Sequence, residues 1–292
     1  MALRGFAVRA GACALALGLL AGPAGAQRRD VVDLELVLAV DISRSMDEDE
    51  QRTQRQGYIE AFRHPALVNA IRAGTGGRIA VTYVEWAEQA QQTVPWTIVS
   101  NAAEAAAFAA KLEEAPLYTE RRTSISTAID YAVELLEGNL INATRRVIDI
   151  SGDGPNNYGR GIIEARDAAV ARKITINGIP LLMNQPSQYS DFPALDKYYR
   201  DCVIGGQGAF VMPVKTMPAF AATLRAKLVS EVAGIYPREG PGQPRFQLAQ
   251  AVQRPAPEKT DCMASERRGF GGYGGYYGFP PPTQIAPRIT PP

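Results

Sequence analysis

Side chains that could bind a metal ion follow the first apolar run of the sequence. In the segment Leu36–Met46, LVLAVDISRSM, a row of aliphatic residues leads straight into Asp41, and Ser43 and Ser45 follow it at intervals of two. A carboxylate at the end of a buried strand is costly unless it meets a partner or a ligand. The segment therefore places one carboxylate and two hydroxyls at the mouth of a predicted strand.

Two further segments can reach the same place. The apolar run 146–150 leads into a Ser-Gly-Asp-Gly sequence whose aspartate is Asp153, and Thr123 stands at the start of a predicted helix. In an open parallel sheet, ligands bind outside the carboxyl ends of the strands, where neighbouring crossovers leave in opposite directions. If the two strands are neighbours, Asp41, Asp153 and Thr123 open onto one crevice.

The donor atoms of these segments are all hard oxygens. Two carboxylates and three hydroxyls, with no histidine or cysteine among them, suit Mg²⁺, Mn²⁺ or Ca²⁺ and do not suit zinc or copper. Mg²⁺ keeps waters readily, so a site with few protein ligands leaves a position for a carboxylate from another molecule. The sequence predicts a site for Mg²⁺, or for Mn²⁺ or Ca²⁺, at Asp41, Ser43, Ser45, Thr123 and Asp153.

The elements that must position these residues alternate along the chain. Periodicity predicts strands at 31–40, 79–86, 93–98, 146–151, 174–180 and 209–214. It predicts helices at 47–73, 102–112, 124–136, 161–172, 194–201 and 217–232. Strands joined by helices pair in parallel through right-handed crossovers. We therefore expect a doubly wound, mostly parallel α/β sheet with helices on both faces, in one domain over 27–235.

The two ends of the chain have a different character. Residues 1–26 carry Arg4 and Arg9 before an apolar run and end in Ala-Gly-Ala, which is typical of a secretory signal peptide. The apolar run is shorter than a membrane span, so we expect a periplasmic or secreted protein with no integral membrane segment in the mature chain. Residues 236–292 are rich in Pro, Gly and Tyr and predict a flexible tail.

Charge and cysteine content narrow the class of partner and the compartment. Without residues 1–26 the formal charge is about −1, and Lys and Arg are scattered, which argues against nucleic-acid binding. Cys202 and Cys262 remain as an even pair in a chain bound for an oxidising compartment. A disulfide between them is the favoured hypothesis, and two independent thiols are the alternative.

The three-part pattern resembles the metal-ion-dependent adhesion site (MIDAS) of von Willebrand factor A domains. Its parts are Asp41-x-Ser43-x-Ser45, then Thr123, then Asp153-Gly154, and the resemblance covers about residues 31–232. The segments SGDGPNN and DCVIGG, at 151–157 and 201–206, together with the signal peptide, also resemble an uncharacterised family of secreted bacterial proteins with this domain.

This resemblance implies both a sheet order and a set of ligands. It implies six strands in the order 3-2-1-4-5-6, with the second strand of a hairpin as the antiparallel edge. It also implies that Ser43, Ser45 and Thr123 supply hydroxyl oxygens, while Asp41 and Asp153 act directly or through metal-bound water.

Two features depart from the family pattern. Arg121 and Arg122 stand where family members usually have glycines before the threonine, so the loop should be stiffer and more positively charged. An additional glycine, Gly152, separates Ser151 from Asp153, so the reach of the second aspartate depends on how the strand ends.

Each site residue also has a simpler possible role. The residues after the first strand could cap the following helix, Thr123 could cap its own helix, and Asp153-Gly154 could be only a turn. Asp149, inside an apolar strand, needs a partner, for which Arg145, Arg146 and the metal site are candidates. The lone His64 precedes a proline and has no histidine or cysteine nearby, so we expect no metal or catalytic role for it.

An enzyme of the haloacid-dehalogenase-like, Mg²⁺-dependent phosphatase type is the main alternative. That fold also begins with a strand ending in aspartate, but it needs a second acid two residues later and a lysine. This chain has Ser43 at the first of these places, and Lys111 is the only lysine between the segments that carry Asp41 and Asp153. A structural secreted domain with an empty metal site is the other alternative.

The favoured interpretation is a secreted, metal-dependent protein-binding domain of adhesion type that catalyses no reaction. Its cation would engage an acidic side chain of a protein partner, and the loops at 113–122, 156–160 and 184–190 would surround the site and set specificity.

Overall fold

The computed structural model describes residues 30–182, 194–234 and 260–271. The predicted signal peptide, the loop at 184–190 and much of the predicted tail therefore lie outside the described residues.

The described strands form one mixed sheet. They are β1 (Asp30–Asp41), β2 (Ile79–Trp86), β3 (Ala90–Val99), β4 (Ile141–Gly152) and β5 (Thr175–Pro180). Their order is β3-β2-β1-β4-β5. Only the β2–β3 pair is antiparallel, and the other pairs are parallel. The predicted α/β class and the antiparallel edge are confirmed, and β1 and β4 are neighbours at the centre.

The predicted sixth strand, 209–214, is not a regular strand. It lies beside β5 and meets it in isolated parallel bridges, one of which joins Gly178 to Val211. The N–H of Met212 donates to the carbonyl of Gly178 at 2.9 Å. Pro213 follows, and its lack of an N–H confines such a segment to the edge of a sheet. The sheet therefore has five strands and one irregular edge segment in the sixth position.

Eight α-helices are found in the described residues. They are α1 (Glu48–Arg63), α2 (Pro65–Arg72), α3 (Ala102–Glu114), α4 (Ile125–Gly138), α5 (Ile162–Ala171), α6 (Leu195–Tyr198), α7 (Met217–Val232) and α8 (Ala264–Gly271). A π-helical turn, Tyr199–Val203, continues α6. None of these helices combines the length and the apolar character that crossing a membrane requires.

The prediction of one helix over 47–73 is wrong, because the chain breaks at His64-Pro65. Pro65 has no N–H for a continuous helix, and the residue before a proline is pushed to an extended backbone. His64 has that backbone, with ψ 131°, and its Nδ1 accepts a hydrogen bond from the N–H of Ala66 at 3.1 Å. The histidine therefore caps α2.

Helices cover both faces of the sheet. On one face α1, α2, α3 and α7 pack on alternate β1 side chains such as Leu36 and Leu38. On the other face α4, α5 and the π-helical turn pack on Val37 and Ala39. The central strand is buried on both sides, which explains its unbroken apolar run.

Part of the predicted tail is folded against the domain. Cys262, just before α8, forms a disulfide with Cys202 of the π-helical turn, with 5.6 Å between their Cα atoms. Ser265 and Glu266 of α8 are buried. The favoured disulfide is confirmed, and it attaches residues 260–271 to the same face as α5.

Candidate metal centre

The carboxyl ends of β1 and β4 lie side by side. Val40 pairs with Ser151 in the parallel register of these strands. Asp41 and Asp153 therefore leave the sheet at neighbouring positions, which is the condition that the sequence prediction required.

A chain of hydrogen bonds joins four of the predicted residues. Asp41 Oδ1 accepts a hydrogen bond from the N–H of Ser43 at 2.7 Å. The hydroxyls of Ser43 and Ser45 are 2.9 Å apart. Ser45 Oγ donates to Asp153 Oδ1 at 2.6 Å. The two loops are therefore close enough for their side chains to share one small ligand.

The fifth residue, Thr123, is held against the loop that carries Asp153. Its N–H donates to Asn157 Oδ1 at 2.9 Å, and the N–H of Asn157 donates back to the Thr123 carbonyl at 2.8 Å. A β-carbon built on Gly154 would lie 3.7 Å from Thr123 Oγ1. Thr123 therefore borders the same crevice.

Other residues perform the capping roles that were the alternatives for these side chains. Asp47 caps α1, since its Oδ1 accepts from the N–H of Glu50 at 2.8 Å while Glu50 Oε2 accepts from the N–H of Asp47 at 2.9 Å. Ser124 caps α4, because its Oγ accepts from the N–H of Thr127 at 3.3 Å. The capping alternatives are wrong for the hydroxyls at the crevice.

Gly152 is required by the close approach of two side chains. A β-carbon at this position would lie 2.7 Å from Asp41 Oδ2 and 3.1 Å from the hydroxyl of Tyr199. The additional glycine of the sequence therefore lets the end of β4 pass beside Asp41, and Asp153 still reaches Ser45.

One carboxylate oxygen at the centre of the site has no hydrogen-bond partner in the described part of the chain. Asp41 is fully buried, and its Oδ2 is among the buried atoms left unsatisfied. Buried polar atoms are nearly always satisfied by protein, water or an ion. A divalent cation that prefers oxygen ligands fits this arrangement.

Burial raises the pKa of both aspartates. Asp41 has a pKa well above its ordinary value, because it is desolvated and because Asp153 repels it. Desolvation raises the pKa of Asp153 to about 6, against the hydrogen bond from Ser45 and with the help of the Glu50 charge. Ionising both aspartates at neutral pH therefore calls for a positive charge between them.

The two aspartates alone provide too few ligands for a metal ion. Among the described residues, no group of three or more His, Cys, Asp or Glu side chains is arranged to hold a metal ion. Three hydroxyls would therefore have to complete the protein ligands, which suits Mg²⁺ better than a soft metal.

The loop before Thr123 has a strained residue at the place of the departure noted in the sequence. Arg122 has φ 66°, in the left-handed region that favours glycine. Its guanidinium lies 4.2 Å from the centre of the Tyr158 ring, and its Nε is 3.7 Å from Glu88 Oε2. The arginine therefore links the loop before Thr123 to the loop after Asp153.

Two residues of the site were missed by the sequence interpretation. Glu50 is buried and influences Asp153, and its only sequence signal is the Asp-x-x-Glu capping pattern at 47–50. Tyr199 is fully buried with its hydroxyl 3.4 Å from the Gly152 carbonyl, and no sequence pattern marks it.

The lysine that a phosphatase would need is directed elsewhere. Lys111 is exposed on α3, and its Nζ donates to Thr97 Oγ1 at 3.3 Å. Asp149, whose partner was sought among Arg145, Arg146 and the metal site, instead contacts Lys227. Arg145 binds the carbonyls of Glu231 and Val232 at the end of α7.

Comparison with known proteins finds one matching family and several solved structures with a similar fold. The profile of a family described as "Protein of unknown function (DUF1194)" matches residues 31–236. No curated protein gives a significant match.

Solved structures of adhesion and matrix proteins are similar in fold. The pilus adhesin SpaC from Lactobacillus rhamnosus GG has a TM-score of 0.54 at 12% identity, over 72% of this chain and 32% of that one. Proximal thread matrix protein 1 from the mussel byssus gives 0.52 at 12%, over 70% and 49%. A von Willebrand factor type A protein from Catenulispora acidiphila gives 0.50 at 14%, over 70% and 43%. The chain thus spans less than half the length of each, and the similarity concerns the fold alone.

Proposed function

The chain belongs to the DUF1194 family and has the fold of a von Willebrand factor A domain, and we propose that it is a secreted, metal-dependent protein-binding domain of adhesion type. The observation that carries the proposal is the buried Asp41 Oδ2, which lacks a hydrogen-bond partner among the described residues and belongs to the carboxylate bonded to Ser43, beside the linked oxygens of Ser43, Ser45 and Asp153.

Five side chains would hold the ion, which we propose to be Mg²⁺, with Mn²⁺ or Ca²⁺ as substitutes. The hydroxyls of Ser43, Ser45 and Thr123 would bind it, and Asp41 and Asp153 would balance its charge directly or through water. With only two carboxylates nearby, the bound ion supplies an electrophilic position for a carboxylate of a protein partner. The domain catalyses no reaction, and the loops at 113–122 and 156–160 set its specificity.

An extracytoplasmic location fits the rest of the molecule. The disulfide between Cys202 and Cys262 would persist in the periplasm or outside the cell, where the predicted signal peptide directs the chain. A pilus adhesin is among the proteins of similar fold, which supports a binding role.

The test is thermal unfolding of the mature protein with Mg²⁺, Mn²⁺ or EDTA. A ligand that binds only the folded form stabilises it by about 2.7 kcal/mol at 100 times its Kd. Metal should therefore raise the Tm of the parent but not that of Asp41→Ala. Asp33→Ala is the matched control, because Asp33 lies at the other end of β1, where its Oδ1 accepts from the N–H of Gly76 at 2.7 Å. Equal metal responses in the parent and Asp41→Ala would contradict the proposal.

A further inference from the structure

A second group of ionisable side chains lies inside the domain, between the sheet and α7. Lys227 of α7 and Asp149 of β4 are fully buried, and Glu231 of α7 is 2% exposed. The ammonium nitrogen of Lys227 contacts both Asp149 Oδ1 and Glu231 Oε2. One buried amine therefore contacts two buried carboxyl groups.

The surrounding residues fix Glu231 and leave Asp149 free of other bonds. Glu231 Oε1 accepts from Asn177 Nδ2 at 2.6 Å, and Asn177 Oδ1 accepts from the N–H of Phe210 at 2.9 Å. Apart from the contact with Lys227, neither carboxylate oxygen of Asp149 has a hydrogen-bond partner in the described residues. The carboxyl group nearest the amine is thus the one that the protein holds least.

The charges of this group do not balance when all three side chains are ionised. One ammonium and two carboxylates leave a net negative charge in an apolar interior, which is costly. Desolvation lowers the pKa of Lys227, although the adjacent Glu231 opposes the change. The aromatic ring of Phe210, 5.5 Å from the nitrogen, adds an apolar wall. Burial therefore makes the amine easier to deprotonate to its nucleophilic form than a lysine in water.

We propose that Lys227 and Asp149 are joined by an isopeptide bond, formed within the folded chain with Glu231 as the proton-transfer residue. The amine nitrogen attacks Cγ of Asp149, a C–N bond forms and one C–O bond breaks. Before the attack the ammonium gives one proton to the Asp149 carboxylate, and Glu231 then accepts a second proton from the nitrogen and delivers it to the departing hydroxyl, which leaves as water. The balance is one ammonium plus one carboxylate giving one amide plus one water, so no other reactant is needed.

Proximity and dryness favour this condensation, which does not proceed in bulk water. Groups held in contact react with effective molarities on the order of 10⁵–10⁸ M. The site also excludes water, which would hydrolyse the intermediate. The product replaces a buried ammonium and a buried carboxylate by a neutral amide, and Glu231 keeps its hydrogen bond from Asn177.

The bond would tie the central strand β4 to the last helix of the domain. α7 has extensive contacts with α1 and also packs on α2, but in the described residues no disulfide or other known covalent bond holds it on the sheet. The amide would keep α7 in place on heating or when the domain is pulled. This inference concerns a different part of the molecule from the metal centre and does not depend on a bound metal.

Mass spectrometry of the denatured, disulfide-reduced mature protein tests the proposal directly. The parent should be lighter than its sequence mass by one water molecule, and proteolysis should yield a branched peptide that joins a β4 fragment to an α7 fragment. Lys227→Arg and Asp149→Ala should have their full sequence masses. Because the measurement is made on unfolded chains, it remains valid for a variant that folds poorly.

Two further variants separate the roles of the residues. Asp149→Asn should reach the same final mass as the parent, because the same amide then forms with release of ammonia. Glu231→Gln keeps the amine and the carboxyl group but removes the proton transfer, so it should have its full mass or lose water far more slowly. A parent protein with its full sequence mass would overturn the isopeptide bond, and a cross-linked Glu231→Gln would overturn the role of Glu231.

Discussion

Two buried acidic centres contain Asp149 of β4 and Asp153 just after it, four residues apart along the chain, and they differ in the group that meets the carboxylate. Asp149 faces α7, where Lys227 contacts it from within the chain. Asp153 lies beyond the end of the strand beside Asp41, where Ser45 donates to it and no Lys or Arg of the described residues forms an ion pair with it. We call the group of Asp149, Lys227 and Glu231 the closed centre, because a lysine of the chain fills it. We call the pair of Asp41 and Asp153 the open centre, because it borders the solvent at the edge of the sheet.

The difference follows from access to solvent. A carboxylate in the middle of a buried strand cannot receive an ion from outside, so the chain itself must provide the partner. A carboxylate at the carboxyl end of a strand can be neutralised by a dissolved cation. A buried carboxylate at the end of a strand that is not paired with a Lys or Arg side chain therefore indicates a ligand site.

Removing Lys227 should have the largest effect on stability. Lys227→Met prevents the amide with Asp149 and leaves Asp149 and Glu231 as buried acids with no partner from that side chain, and an uncompensated buried charge of this kind costs about 3–5 kcal/mol in the free energy of unfolding. Chemical denaturation without metal measures this change. Asp41→Asn is the comparison, because it removes a carboxylate that already lacks a cation, so its cost should be much smaller. Equal losses in the two variants would contradict the distinction between the centres.

The pH dependence of the metal-free protein should reveal the open centre. Asp153 has a pKa of about 6 in the folded protein against an ordinary 3.8, so the folded form holds the proton more tightly. Stability should be greatest below the ordinary pKa and fall as the pH rises towards 6, by roughly 3 kcal/mol at most. Unfolding measured from about pH 4 to pH 7 in EDTA tests this.

Metal should reverse that trend, because it competes with protons for the same oxygens. The Mg²⁺-induced rise in Tm should therefore be larger near pH 7 than near pH 5. Asp153→Asn should lack the part of the pH dependence that Asp153 contributes, and because the charge of Asp153 helps to raise the pKa of Asp41, the part due to Asp41 should also be smaller. A metal response that is the same at both pH values would argue against binding at these aspartates.

A side chain at Gly152 should damage the open centre without removing a ligand. In Gly152→Ala the new methyl group would meet Asp41 Oδ2 at 2.7 Å, so either Asp41 or the strand end must move. We expect a loss of about 1–3 kcal/mol and a weaker Tm response to Mg²⁺. Gly138→Ala is the control, since no atom lies within 4 Å of the added carbon. A normal metal response in Gly152→Ala would show that Asp41 is not at the metal.

The sequence predicted the open centre because its signals are local. Asp41, Ser43 and Ser45 lie directly behind an apolar run, and the alternation of strands and helices brings Asp153 to the neighbouring strand end. The closed centre gave no such signal. Lys227 lies inside helix α7, where a lysine usually faces solvent, and its contact with Asp149 depends on how α7 packs on the sheet.

The local sequence pattern also did not predict where one helix ends or which distant segment packs on the domain. The helix over 47–73 was extended through His64-Pro65 because the apolar periodicity continues on both sides of the break. The composition of 236–292, rich in Pro, Gly and Tyr, predicts that residues 260–271 are part of the flexible tail. Its attachment depends on Cys262 and on Glu266, which accepts from the N–H of Ile162 at 2.9 Å and so caps α5 from a distance.

The smallest effect should come from the strained residue beside the open centre, and there the sign is the test. A non-glycine residue in the left-handed region costs about 1–2 kcal/mol, and the exposed contacts of Arg122 with Tyr158 and Glu88 recover part of that cost. Arg122→Gly should therefore be as stable as the parent or more stable by up to about 1 kcal/mol. Arg121→Gly, at an exposed position without positive φ, should be slightly destabilised, because glycine adds entropy to the unfolded chain.

Chemical denaturation of both variants in EDTA gives the sign of the change in stability. Both should keep the Mg²⁺ response of the parent, because neither arginine supplies an oxygen to the site. A destabilised Arg122→Gly would mean that the contacts of its guanidinium hold the loop before Thr123, and a lost metal response would place the arginine among the groups that position that threonine.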